Sequence, residues 1–81
     1  MPTLTGRVVD KFTGEGVPAE IEIDGTRAYA DSEGAFSVSL PPGTYTVRVY
    51  AEGYEPESRA VSLVGERYIT IFLTPIVEVL K

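Results

Sequence analysis

Ala19-Glu20-Ile21-Glu22-Ile23-Asp24, followed directly by Gly25, is the stretch that decides the fold. Apolar and acidic side chains take turns without a break, which places the three apolar residues on a buried face and the carboxylates in water. The dipeptide Asp24-Gly25 tolerates positive φ and is a strong signal for a hairpin. The stretch therefore predicts two antiparallel strands of a half-buried sheet.

The same alternation continues on both sides, and turn residues interrupt it every eight to twelve residues. No segment shows the spacing of an amphipathic helix. Many short, evenly spaced strands are typical of a sandwich, so we expect an all-β fold, a seven-stranded antiparallel Greek-key β-sandwich. The strands are predicted at residues 4–10, 19–24, 27–30, 35–40, 44–51, 57–64 and 67–74.

Alternation also predicts the core and the role of one turn. The turn Pro41-Pro42-Gly43 is expected to reverse the chain abruptly, with Gly43 at a positive φ. The hydroxyl of Tyr45 is expected to find a backbone acceptor near the end of the sandwich. Outside the second strand, the side chains predicted to point inward are Leu4, Gly6, Val8, Phe36, Val38, Leu40, Tyr45, Val47, Val49, Val61, Leu63, Ile69, Ile71 and Leu73.

Length and composition limit the class of protein. The 81 residues suffice for one domain, with a core at 4–74 and residues 75–81 as a C-terminal strand or linker. A net charge of −5 disfavours nucleic acid and anionic membranes as partners. Cysteine is absent, so no disulfide or thiolate metal site can form. Asn, Gln and Trp are absent too, a composition that suits a thermophile.

Catalytic machinery is not expected. Histidine and cysteine are both absent, which removes the usual general base and the thiol nucleophile, and no nucleophile elbow or phosphate-binding loop occurs. Glu20 and Glu22 share one face of a strand, but a domain of this size has no room for the cleft that a catalytic carboxylate pair needs. We expect a protein that is not an enzyme and needs no cofactor.

Three acidic residues near predicted turns are weak candidates for a calcium site: Asp24, Asp31 and Glu33. Their spacing is not that of a calcium-binding EF-hand loop. Aspartate is equally expected at such positions because its side chain caps turns. We therefore assign no metal to them.

The C-terminal segment is unusually apolar for a surface. Leaving its apolar side chains in water is unfavourable, so something is expected to cover them. One interpretation is an eighth strand on the same sandwich. The other is pairing with an open sheet edge of another molecule, an oligomer contact made by Ile76, Val77, Val79 and Leu80.

Three aromatic side chains fall on positions expected to face solvent: Tyr50 on the fifth strand, and Tyr68 and Phe72 on the seventh. Exposed aromatics can stack on sugar rings or anchor a protein partner. Aromatics also favour strands for their own sake and shield the outer surface of a sheet. Both interpretations remain open at this stage.

Several spaced motifs together resemble the carboxypeptidase regulatory-like domain family. They are Gly6-Arg7-Val8-Val9-Asp10, Thr13-Gly14-Glu15-Gly16-Val17-Pro18-Ala19, Asp31-Ser32-Glu33-Gly34-Ala35-Phe36, Leu40-Pro41-Pro42-Gly43-Thr44-Tyr45 and Gly53-Tyr54. The resemblance implies a transthyretin-like (prealbumin-like) sandwich and brings no active site with it. Ala30 departs from the family, which usually has Thr there. The hydroxyisourate hydrolases of this fold use histidines and a C-terminal Tyr-Arg-Gly-Ser, which this chain lacks.

These observations favour a noncatalytic structural, accessory or adhesive module of a larger secreted or cell-surface protein. Its expected role is domain spacing, stability or protein–protein assembly, with neighbouring domains or other chains meeting it by sheet-edge contact. A carbohydrate-binding accessory module that uses the outward aromatics is the alternative. No signal peptide opens the chain, so an extracellular location is expected only within a longer protein, and a cytoplasmic one stays open.

Overall fold

The computed structural model describes residues 1–76, which contain seven strands and no helix. Each predicted strand is found within one residue of its expected ends. This range therefore contains no helix that could cross a membrane. The strands are β1 (Thr3–Asp10), β2 (Glu20–Ile23), β3 (Thr26–Tyr29), β4 (Ala35–Ser39), β5 (Gly43–Tyr50), β6 (Glu57–Leu63) and β7 (Arg67–Leu73).

Two sheets face each other, one with the order β4-β1-β7 and one with the order β3-β2-β5-β6. The all-β sandwich is thus confirmed. The expectation of purely antiparallel pairing is wrong for one ladder, because β1 and β7 run parallel from Leu4 opposite Arg67 to Asp10 opposite Leu73. No hairpin joins these two strands. The chain reaches β7 from β6 in the other sheet, so no local turn sets the direction of β7 against β1.

The core lies between the sheets and contains the expected residues of β2, β6 and β7, together with Val47 and Val49 of β5. Val38 and Tyr45 are only half-buried against it. Val9 is an unexpected buried residue, since it points away from the core of the sandwich. Beside it the loop after β1 pairs with the edge of this strand, with Gly16 in a bridge to Val9.

Two turns show how local chemistry fixes the chain. Asp24 and Gly25 have φ values of 46° and 90°, which confirms the predicted hairpin between β2 and β3. Gly34 has a φ of 81°, and a Cβ there would lie 2.1 Å from the carbonyl oxygen of Val8. Only glycine permits this approach, in which the Val8 amide donates to the Gly34 carbonyl at 2.8 Å.

The turn before β5 differs in part from its prediction. Gly43 is not among the residues with positive φ, because it already belongs to the extended backbone of β5 and the two prolines make the reversal. The hydroxyl of Tyr45 donates to the carbonyl of Pro41, as expected. This bond ties the start of β5 to the turn that precedes it.

Candidate functional site

The three predicted outward aromatics are exposed, but they do not share one surface. Tyr68 and Phe72 project from β7 on the outer face of the three-stranded sheet, with exposed fractions of 63% and 55%. Tyr50 projects from β5 on the outer face of the other sheet and is 40% exposed. Alternation gives the direction of each side chain, whereas the sheet to which each strand belongs follows from long-range pairing. A single platform of all three is therefore ruled out.

Tyr50 instead belongs to a row with a tyrosine that the sequence analysis missed. Strand β2 lies between β3 and β5, so that Glu20 stands opposite Tyr29 on one side and Tyr50 on the other. The hydroxyl of Tyr29 donates to Oε1 of Glu20 at 3.5 Å, and this ring is 67% exposed. We call Tyr29, Glu20 and Tyr50 the tyrosine row. The alternation of Tyr29 with Ala28 and Ala30 already indicates in the sequence that the ring of Tyr29 points outward.

A second row on the same face carries charges of both signs. Glu22 stands opposite Arg27 of β3 and Arg48 of β5. The Arg48 guanidinium lies 4.0 Å from Glu22, and that of Arg27 lies 3.8 Å from Glu20. Such exposed pairs contribute at most about 1 kcal/mol each to stability. Their consequence for binding is that two carboxylates and two guanidiniums leave this face close to neutral.

The three acidic candidates do not meet. Asp24 lies in the turn before β3, whereas Asp31 and Glu33 lie in the turn that follows β3. Oδ1 of Asp31 accepts the amides of Glu33 at 2.9 Å and Ala35 at 3.0 Å, which is the capping role expected of an aspartate in a turn. Within residues 1–76, no three acidic side chains are placed to hold a metal ion together.

Two arginines close the seam between β6 and β7, which are edge strands of different sheets. Nη1 of Arg59 on β6 donates to the Thr70 carbonyl at 2.9 Å, and Nη1 of Arg67 on β7 donates to the Ser62 carbonyl at 2.8 Å. Each side chain satisfies a carbonyl of the opposite edge. A strand added to β7 would have to displace Arg59, so this seam is guarded against edge pairing.

A group of hydrogen bonds holds the chain where it leaves β7. The Glu55 amide donates to the Thr74 carbonyl and the Ile76 amide donates to the Gly53 carbonyl, both at 2.9 Å. The hydroxyl of Tyr54 donates to Oδ2 of Asp10, at the end of β1, at 2.7 Å. We call residues 53–55, residues 74–76 and Asp10 the C-terminal clasp. Of the four residues predicted to make an oligomer contact, Ile76 is 56% exposed here, and Val77, Val79 and Leu80 lie outside the described residues.

Asp10 is the one buried charged residue of the part of the chain that the structure describes. The hydrogen bond from Tyr54 is the main cause that lowers the pKa of its carboxyl, and the amide of Phe12 at 2.7 Å adds to the effect. The same carboxylate raises the pKa of Tyr54, with burial as the second cause. The clasp is therefore held by a charge-assisted bond at neutral pH.

A comparison with protein families settles the relationship. The model of the carboxypeptidase regulatory-like domain matches residues 3–74, nearly the whole chain. The chain belongs to this family. A comparison with curated proteins gave no match.

Several solved structures contain the same fold within longer chains. A type II cohesin–X–dockerin complex from Acetivibrio cellulolyticus, a C-terminal interface mutant, superposes with a TM-score of 0.77 at 24% identity, over 90% of this chain and 57% of that one. A DUF3823 family protein from Bacteroides ovatus gives 0.78 at 25% identity, over 93% and 44%. The domain thus spans about half the length of the structures that it matches.

Replacing Tyr54 by Phe tests the clasp, because the ring stays and the donor to Asp10 is lost. We expect a lower free energy of unfolding at neutral pH. The pKa of Asp10 is lowered from 3.8, so its stabilisation is complete above that pH and is lost as the pH falls through the folded-state pKa. The pKa of Tyr54 is raised from 10.0, so its contribution is complete below that pH and is lost as the pH rises further.

Denaturant titrations at a series of pH values measure the difference between wild type and Tyr54→Phe. This difference is expected to narrow below about pH 4, where Asp10 becomes protonated. Tyr45→Phe is the matched control, because its hydroxyl donates to a backbone carbonyl that does not titrate. A Tyr54→Phe difference as constant in acid as that of the control would contradict the account.

Proposed function

We propose that this domain is a noncatalytic spacer and assembly module of a longer secreted or cell-surface protein. The observation that carries the proposal is the parallel ladder between β1 and β7. Because the first and last strands run the same way, the chain enters at one end of the sandwich and leaves at the other. Many domains instead keep their ends close together. A domain with opposite ends holds the segments before and after it apart.

The two ends are also fixed in direction, which supports a spacer more than a flexible joint. Where the chain enters, the Leu40 amide donates to the Pro2 carbonyl at 3.1 Å. The hydroxyls of Thr3 and Ser39 lie 3.4 Å apart beside it. Where the chain leaves, the C-terminal clasp holds residues 74–76. A strand of eight residues such as β1 spans about 26 Å, which sets the scale of the separation.

The proposed role in assembly rests on which parts of the surface are open to a partner. Arg59 and Arg67 guard the β6–β7 seam, which disfavours side-by-side pairing of two copies there. The ends of the domain are further places for a neighbour, and the exposed Ile76 lies at one of them. We propose that Ile76, Val77, Val79 and Leu80 contact the domain or chain that follows. Similarity to part of a cohesin–X–dockerin complex supports a role inside a larger assembly.

The spacer proposal predicts a narrow distribution of distances. Two fluorescent proteins joined through this domain are expected to show one sharp energy-transfer population. A Gly/Ser linker of 81 residues is the control, and its ends are about 50 Å apart on average with a wide spread. Single-molecule energy transfer measures both distributions. A domain-linked distribution as broad as that of the linker would refute the spacer role.

We propose glycan binding as a second candidate, now placed on the tyrosine row. Tyr29 and Tyr50 flank Glu20 across two strand spacings, which puts their backbones about 10 Å apart. Tyrosine rings offer flat surfaces for sugar rings, the carboxylate accepts hydroxyl hydrogen bonds, and Arg27 donates them. The near-neutral charge of this face favours an uncharged glycan.

A glycan array probed with matched variants tests this candidate. Tyr29→Ala and Tyr50→Ala are each expected to weaken binding by up to about tenfold, because each removes one stacking ring. Tyr68→Ala and Phe72→Ala are the controls on the opposite outer face and are expected to bind like wild type. No saturable binding, or a loss confined to the two control variants, would end the proposal.

A further inference from the structure

We propose that this domain resists mechanical force, with the β1–β7 ladder as its clamp. The inference rests on the proposed function in one respect: a spacer that lies in line between two neighbours receives tension through its own two ends. Tension would then act on β1 at its start and on β7 at its end. The resistance is a property of how these two strands are paired.

The direction of pull decides how the ladder bears the load. Strands β1 and β7 are adjacent and parallel over seven residue pairs. Pulling the start of β1 and the end of β7 apart slides the strands along each other, so that every hydrogen bond between them is loaded at once. Pulling the two starts apart would instead open the ladder from one end, one bond at a time.

The hydrogen bonds of the clamp follow from one backbone contact and from the register of the two strands. The Lys11 amide donates to the Leu73 carbonyl at 2.9 Å, and Asp10 stands opposite Leu73. In a parallel ladder, a residue that faces its neighbour bonds to the residues on either side of its partner. Ile71 therefore bonds to Arg7 and Val9, and the pattern repeats along the ladder. The four residues of β7 that face β1 in this way give about eight hydrogen bonds, and these share the load.

Side chains and the neighbouring strand add to the resistance. Three inward residues of β7 are buried and must be dragged past the core if the strand slides: Ile69, Ile71 and Leu73. Strand β1 cannot follow β7 easily, because β4 holds its other edge over five antiparallel pairs. The weakest route under tension is thus the simultaneous rupture of the β1–β7 ladder.

The C-terminal clasp keeps the force on that route. Residues 74–76 are bonded to residues 53–55, which lie beside the end of β1 through the bond between Tyr54 and Asp10. Force applied to the chain after Ile76 acts on these bonds first. It is then transmitted to β7 along the axis of that strand. The clamp and the clasp therefore act in sequence on the same end of the chain.

Single-molecule force spectroscopy on the full chain tests the inference by changing only the points of attachment. The chain has no cysteine, so paired substitutions define the handles. Met1→Cys with Ile76→Cys loads the ladder lengthwise. Met1→Cys with Gly65→Cys pulls at the starts of β1 and β7. Gly65 suits a handle because a Cβ there meets no heavy atom within 4 Å, and Val64→Cys, at an 84% exposed position, is its replacement.

We expect the lengthwise pair to unfold at a several-fold higher force than the other pair. Denaturant unfolding of both variants is measured as well, and equal stabilities show that the difference lies in the geometry, since forced unfolding follows the barrier and not the equilibrium. Equal forces in the two geometries would overturn the inference. That result would leave the spacer proposal standing, because the width of the distance distribution tests that proposal separately.

Discussion

The backbone ladder between β1 and β7 is the contact on which the rest of this domain depends. It joins the two ends of the strand series, closes the three-stranded sheet and brings Ile69, Ile71 and Leu73 over the core. Forming it requires closing a long loop, which is entropically costly. Burial of these three side chains, at about 1.5–3 kcal/mol each, helps to offset that cost. The ladder also places the ends of the domain on opposite sides.

The sequence predicts the features that depend on local patterns, but it does not predict those that depend on long-range strand pairing. Asp24-Gly25 and the flanking alternation suffice for the β2–β3 hairpin, because its turn and register are local. The direction of β7 against β1 was predicted wrongly, since no short connection constrains it. Alternation along each strand correctly predicts that the three aromatic side chains point outward. That Tyr50 and Tyr68 lie on different sheets follows only from the order of the strands. The arginines of the seam left no signal in the sequence, because each acts on a backbone carbonyl of another sheet.

The surfaces of the domain differ in what they allow. Arg59 and Arg67 occupy the β6–β7 seam, and the carboxylate of Asp31 caps a turn, so neither this seam nor the acidic turn is free for a partner. The edges of β3 and β4, the outer face with the tyrosine row and the two ends of the domain remain. This arrangement agrees with the proposal that the domain meets its neighbours end to end. Family membership agrees with an accessory role.

The parallel pairing of β1 and β7 is tested most directly by scalar couplings across hydrogen bonds, measured by NMR between the amide nitrogen of one strand and the carbonyl carbon of the other. Parallel pairing predicts that Ile71 bonds to two different residues of β1, its amide to the Arg7 carbonyl and its carbonyl to the Val9 amide. Couplings that join both groups of Ile71 to one and the same residue of β1, or none between these strands, would contradict it.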